Sequence, residues 1–418
     1  MAEFYRLINK ARHYDWGSPV DIPRLLGITP DGAPWAELWM GGTSGFSSTL
    51  EAAAGTTLEE LIAGDPRRFL GENIARRYGA LPFLLKLLAA EKPLSIQAHP
   101  NPEQAREGFE RENRAGLPLD SPKRNYKDAN HKPEIICAIS PFTGLCGFRP
   151  AEEIRKRLDV FLEPSPPSAA PPPVLREGFA PLTRALLNHE PLRDFLAGLF
   201  GLSQQVREAL TEYVLSVDKP PPDCATSHIG APPLCDARQL MHDLARLYPG
   251  DPAVIAPLYL NVFRLEPGEA VFLEAGVLHA YIQGFGVELM ANSDNVLRGG
   301  LTPKHVDVPE LMKILDFKPF NPRVIAPNAD FFNYPAPCGE FSLARIRGNP
   351  GVAAAWPLAL EGPAICVVTE GELVISAANC KAVVKQGESL FIPPVKKGES
   401  PLSLSGNFTL YIASCGSP

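Results

Sequence analysis

In the stretch EKPLSIQAH (91–99), Ser95, Gln97 and His99 fall at every second position. Successive side chains of an extended strand point to opposite faces, so these three share one face and Leu94, Ile96 and Ala98 the other. A half-buried strand showing polar groups to water would explain the alternation, and so would two metal donors, Gln97 and His99, set side by side. Two more groups bear on the choice. Glu134 stands directly before the apolar run IICAI, where a carboxylate is costly unless paired or bound to a cation. His279 closes the apolar strand expected at AVFLEAGVL (270–278). Imidazole nitrogens and carboxylate oxygens suit zinc, and a catalytic zinc keeps a position open for water or substrate. Gln97, His99, Glu134 and His279 therefore form a candidate metal site. Of the eight histidines, His13, His189, His228 and His242 stand among no other donor candidates, whereas His131 and His305 lie in polar-rich segments like His99 and His279.

The chain that must position these groups has 418 residues, too many for one ordinary core, so two or three domains are expected. Its 45% hydrophobic and 21% charged content fits a soluble globular protein. No apolar run is long enough to span a bilayer, and the start, MAEFYRLINKARHYDWGS, lacks the apolar segment of a secretory signal. A cytoplasmic location without a membrane partner is expected. The eight cysteines, Cys224 among them, are scattered without a CxxC pair and read as reduced thiols. A net charge of −7 argues against a nucleic-acid partner, while a few local Lys and Arg residues could still hold a small anion.

Texture divides the sequence. Residues 1–150 mix short strands with a helix at Thr57–Ala63, where Thr57 and Glu60 have capping-box spacing. Residues 151–250 pass through PSPPSAAPPP and then PLRDFLAGLFGLSQQVREALTEYVLSV, whose apolar residues recur at helical spacing. Strands return over 251–325, and 326–418 reads as short strands bounded by Gly, Pro or Asn. GEAVFLEAGVLHA (268–280) and GESLFIPPVKKGE (387–399) echo each other. The first resembles the second half of the cupin signature: Gly268 and Gly276 fit, Glu274 replaces the usual proline, and His279 takes the ligand place. The second keeps Gly387 and Pro393 but has no histidine. The expected fold is mainly β with an α insertion. It comprises a metal-bearing cupin-like jelly-roll barrel built from 1–150 and 251–325, a helical insertion at 151–250, and a metal-free barrel at 326–418.

YKDANHKPE (126–134) and HAYIQGFGVELMANSDNVLRGGLTPK (279–304) resemble the two signature segments of the type I mannose-6-phosphate isomerases. YDWGS (14–18), AELWMG (36–41), KPLSIQAHP (92–100) and GLCGFRP (144–150) extend the likeness. Gly299–Gly300 stands where that family usually has Ala–Gly, and GGTSG (41–45) differs from its common Gly–Thr–His. The resemblance implies a monomeric enzyme with one zinc ion, interconverting mannose 6-phosphate and fructose 6-phosphate through a cis-enediol. It implies a place in mannose metabolism leading to GDP-mannose, and it assigns Gln97, His99, Glu134 and His279 as the metal ligands.

Such a reaction must remove a proton beside a carbonyl and stabilise the developing oxyanion. For proton transfer the sequence offers Lys132, His131, Glu288 and Asp294. If Lys132 and Glu134 share a strand face, the ammonium lies near the metal, whose field would favour a neutral amine; an ion pair with Glu134 is the simpler account. Lys86 places a charge inside FLLKLLAA, either snorkelling to water or facing substrate. Arg298 and Lys304 are candidates for the phosphate or the enediolate. Ser95, Tyr281, Asp15 and Trp16 are expected around the sugar, Trp16 equally suiting the core. A silent sugar-phosphate-binding protein has no need of four metal ligands. An iron dioxygenase would use two His and one carboxylate, which the additional Gln97 fits poorly.

Overall fold

A computed structural model describes residues 4–43, 45–53, 55–163, 170–216, 234–349, 360, 362–377, 380–395 and 402–416. Cys224, His228 and most of PSPPSAAPPP lie outside them. The strand Phe83–Ala90 is buried along its whole length, which explains why FLLKLLAA reads as a nearly continuous apolar run. Its two faces serve different neighbours. Leu85, Leu87 and Ala89 pack between two large sheets together with Val287, Ile365 and Tyr411. Leu84, Lys86 and Leu88 face the other way.

The first sheet runs in the order Ala270–Leu273, Glu134–Ala138, His279–Ala291, Phe83–Ala90, Glu37–Met40, Lys10–Arg12, with antiparallel neighbours. His279–Ala291 is its hinge. From Gly284 onward it lies between Phe83–Ala90 and Glu134–Ala138, whereas its first residues pair with Gln97 and with the strand Phe142–Phe148. The register shifts between Tyr281 and Gln283, and Gly284 sits at φ +133°. Such a bulge bends a strand and re-aims the side chains beyond it. His279 thus opens a strand; the apolar strand before it ends at Leu273.

The second sheet takes the order Phe331–Tyr334, Ser342–Gly348, Ser403–Ser414, Ala364–Ala377, Ser389–Ile392, Tyr5–Ile8, Thr49–Leu50, with Cys380–Lys385 beside Ala364–Ala377. The first described strand of the chain is therefore stitched to its last third. Helices Ala151–Leu162, Pro173–Ala185, Pro191–Phe200, Gln204–Ser216 and Leu234–Leu247 bury a core that contains Leu158, Phe179, Leu196 and Leu210 together with Ile96, Ala98 and Leu297. The helical layer thus backs the EKPLSIQAH segment.

Helix and strand occur in nearly equal shares, so the chain is mixed α and β rather than mainly β. The excess helix lies in the first third. Leu58–Gly64 has the Thr57–Glu60 capping box that its spacing predicts, but Pro66–Leu70, Glu72–Tyr78 and Pro102–Arg114 accompany it. The last is capped reciprocally by Asn101 and Gln104, is strongly polar, and buries only Ala105, Gly108 and Glu112. The cysteines Cys137, Cys146, Cys338, Cys366, Cys380 and Cys415 are free thiols. No helix among the described residues is long and apolar enough to cross a membrane.

A Cβ on Gly284 would lie 2.7 Å from Phe142 Cα. Gly284→Ala is expected to lower stability by roughly 2–4 kcal/mol through backbone strain and overpacking. Gly27→Ala, at φ +69° with nothing within 4 Å, should cost only about 1–2 kcal/mol. Denaturant titration of the two variants checks the difference; equal losses would contradict the hinge role.

Candidate active site

Glu134 heads the strand Glu134–Ala138 with only 1% exposure. Its Oε1 lies 3.5 Å from His99 Nε2 and its Oε2 3.3 Å from His279 Nε2. Each ring turns its other nitrogen to a backbone carbonyl: His99 Nδ1 to Asn295 at 2.7 Å, His279 Nδ1 to Val277 at 3.0 Å. A carbonyl only accepts, so each neutral imidazole carries its proton on Nδ1 and presents the Nε2 lone pair to the carboxylate. Burial, then the Lys132 charge, pushes His99 down to about 4, which keeps it neutral. Acceptors therefore face acceptors, and His99 Nε2 and Glu134 Oε2 have no hydrogen-bond partner. A cation between them resolves that arrangement.

The ligand atoms of His99, Glu134 and His279 all lie within 4.8 Å of one another. Gln97 adds an amide 3.4 Å from His279 Nε2. Its oxygen and nitrogen exchange places by a side-chain flip, so Gln97 can complete the donor set. Two neutral nitrogens held by carbonyls, a carboxylate and an amide oxygen suit a divalent cation with room for a further ligand.

Register supplies the neighbours. Gln97 pairs with His279 on one side and with Arg298 on the other, and the Arg298 side chain lines the same cavity as Gln97. Asn295 fastens the loop before Glu134. Its Oδ1 accepts from the Lys127 and Asp128 amides at 2.6 and 3.2 Å, and its Nδ2 donates to the Asp128 and Asn130 carbonyls, each at 2.9 Å. One residue thus positions both His99 and the loop that delivers Lys132.

Lys132 Nζ lies 2.9 Å from Glu134 Oε1, so the two side chains share a face. Burial alone would raise the Glu134 carboxyl, but the Lys132 ammonium outweighs it and holds the carboxyl well below the usual carboxylate range. A second buried pair lies across the adjoining strands. Lys86 opposes Glu288 in register at 2.9 Å and reaches Glu37 at 3.6 Å, with the Trp39 ring 5.1 Å away. Burial would lower the Lys86 ammonium; Glu288 and Glu37 outweigh it and raise it. Lys86 is therefore paired in the interior, not snorkelling. Burial raises Glu288, and Lys86 only partly offsets this. The buried Tyr281 hydroxyl lies beside Glu288.

A cavity of about 770 Å³ opens over this array. Ser95, Gln97, Lys132, Glu134, Tyr281 and Glu288 line it, as do Lys86, Asp15, Trp16, Asp294, Arg298 and Lys304. His99 and His279 are buried against Glu134. His131 is not brought there: its Nε2 faces Glu340 Oε1 at 3.1 Å, because its extended segment sends neighbouring side chains to opposite sides. Trp16 lines the cavity while packing on the core beside Leu88 and Tyr281.

Residues 4–151 match the profile of "Phosphomannose isomerase type I, catalytic domain". The mannose-6-phosphate isomerase of Salmonella typhimurium is 38% identical over 413 residues, covering 96% of this chain and 97% of its own, and that of Escherichia coli is 36% identical over 409 residues with the same coverage. The human enzyme is 32% identical over 428 residues, 97% of this chain and 96% of its own. A crystal structure of the Salmonella typhimurium enzyme bound to fructose 6-phosphate and zinc superposes with a TM-score of 0.85 at 33% identity, over 99% of this chain and 100% of that one. The chain belongs to the type I phosphomannose isomerase family.

Sequence reasoning missed several residues of this family member's cavity. Glu37 and Trp39 alternate in ELWM as Gln97 and His99 do in IQAH, a signal that was available; Trp39 Nε1 donates to Glu37 Oε2 at 2.8 Å. Asn295 gave no such signal, since its role depends on a loop far away in sequence. Lys86→Met should leave Glu288 and Glu37 without their cation and cost about 3–5 kcal/mol at pH 8. The loss should shrink as pH falls, because a carboxyl whose folded pKa is raised takes up its proton more readily in the folded than in the unfolded state. Denaturant titrations at pH 8 and pH 6 check this; a loss independent of pH would contradict it.

Proposed function

We propose that this chain interconverts mannose 6-phosphate and fructose 6-phosphate, with one zinc ion held by Gln97, His99, Glu134 and His279. The observation that carries the reading is the trio of mutually facing acceptors on His99, His279 and Glu134, opening on a cavity lined by the buried Lys86 and Lys132 and by Arg298. The relatives' name and the zinc and fructose 6-phosphate of the Salmonella structure support it. When bound, the metal supplies positive charge beside the oxygens that become anionic as a proton leaves the adjacent carbon.

The chain's own groups do the rest. Lys132, next to Glu134, and Glu288, on the neighbouring strand, stand where a proton can be moved between C2 and C1. Burial suits Glu288 to that exchange, since it brings the carboxyl nearer neutral pH. Lys86 and Glu37 fix its position. Arg298, beside Gln97 in register, faces the enediol oxygens, and burial lowers its basicity, as it does that of Lys304. Lys304 receives the phosphate. Asp294 assists ring opening, while Ser95, Tyr281, Asp15 and Trp16 shape the sugar's surroundings. With neutral histidines, three carboxylates (Glu37, Glu134, Glu288) oppose two ammonium groups, a net −1; a divalent cation makes it +1.

The same reading takes the pairing of Glu134–Ala138 with Ala270–Leu273 across the helical segment as support for one catalytic unit made of 1–150 and 251–325, with 151–250 inserted. It treats that unit and 326–418 as cupin-like jelly rolls, the second without a metal, in a cytoplasmic monomer supplying mannose 6-phosphate for GDP-mannose synthesis. Dialysis against a chelator should lower isomerisation of mannose 6-phosphate at least ~100-fold, and stoichiometric zinc should restore it. A zinc-loaded protein that never converts the sugar would overturn the reading.

A further inference from the structure

The cavity contains a cation to which this reading gives no task. Arg12 ends the edge strand Lys10–Arg12, where its carbonyl accepts from the Ala36 amide at 2.9 Å. Its guanidinium lines the cavity inside an aromatic enclosure: Cζ lies 3.6 Å from the centroid of the Phe46 ring, 5.0 Å from that of Trp39 and 5.3 Å from that of Tyr14. Nε donates to the Tyr14 hydroxyl at 3.0 Å. Among the described residues no carboxylate comes within 4.0 Å of it. Glu37, its neighbour across the strands, is engaged with Lys86 and Trp39.

A guanidinium stacked on rings is held with little rotamer freedom, and its remaining N–H groups keep the fork geometry that matches a phosphate. Lys304 meets the same Tyr14 ring, with Nζ 5.9 Å from its centroid. Asp15 is the acid close to Lys304, so this end of the cavity stays cationic overall. The remaining charges are already assigned: Lys86 and Glu288 share a salt bridge, and Arg298, next to Gln97 in register, adds its positive charge near Lys304.

We infer that Arg12 and Lys304, gathered around Tyr14, form the phosphate-holding end of the cavity, and that Arg12 makes the site select a phosphorylated sugar. This rests on the isomerase reading and adds to it a residue that determines specificity. Charge-assisted, bidentate contacts of this kind are the strong ones. The test uses the zinc-loaded full chain and Arg12→Gln. KM for mannose 6-phosphate should rise on the order of ten-fold or more while kcat stays within about three-fold, and the inhibition constant of inorganic phosphate should rise in parallel. Zinc content and melting temperature should match the wild type. Unchanged KM and phosphate inhibition, or a fall in kcat alone, would overturn the inference.

If Arg12→Gln does not fold, Arg12→Lys decides, since it keeps the charge but loses the fork: an intermediate rise in the phosphate inhibition constant supports the inference, and none overturns it. Should the wild type show no turnover, the isomerase reading fails by itself. Calorimetric titration with fructose 6-phosphate then decides on Arg12. Weaker binding to the variant supports its role, and equal binding refutes it.

Discussion

Glu134 is a buried carboxylate facing two imidazole nitrogens that both present lone pairs, and a cation between them makes that geometry tolerable. Much of the surrounding structure keeps this arrangement in place. The Asn295 and Val277 carbonyls fix the tautomers of His99 and His279. The bulge before Gly284 lets a single strand offer His279 on one side of the bend and Glu288 on the other. The helical core receives Ile96 and Ala98, which turns Gln97 toward the cavity and His99 toward Glu134.

The same alternation places every other charge. Between the two sheets the strands present Leu85, Leu87, Ile135 and Val287. On the cavity side the intervening positions are Lys86, Glu134 and Glu288, with Glu37 one strand further on. Slipping any of these strands by one residue would send its charges into the apolar layer between the sheets, so the dry core and the polar array enforce each other's register. Lysine–carboxylate pairs buried in this way contribute little net stability; what they provide is fixed charge in a place where water cannot screen it.

How much of this was legible in the sequence follows from the range of the forces involved. The donor set showed because two-residue spacing is local and because a carboxylate opening an apolar run needs an explanation. The Thr57–Glu60 box showed for the same reason. Pro102–Arg114 did not, since it is strongly polar, turns only Ala105, Gly108 and Glu112 inward, and offers no row of large apolar residues to mark a helix. His279 was misread as closing a strand because Glu274–Leu278 looks apolar while turning. The joining of Tyr5–Ile8 to Ser389–Ile392 is a contact some 380 residues apart, invisible to any local pattern. Arg12 was missed because its aromatic enclosure is assembled from separate segments, and His131 was wrongly included because a polar-rich segment does not reveal which side chain turns inward.

The most direct test of the account is a crystal structure of the zinc-loaded protein with anomalous scattering recorded at the zinc edge. A single strong peak is expected at about 2.0–2.2 Å from His99 Nε2, His279 Nε2 and a Glu134 oxygen, with the Gln97 amide oxygen turned toward it. A metal bound elsewhere, or a triad closed by a protonated imidazole hydrogen-bonded to Glu134 with no peak between them, would contradict it.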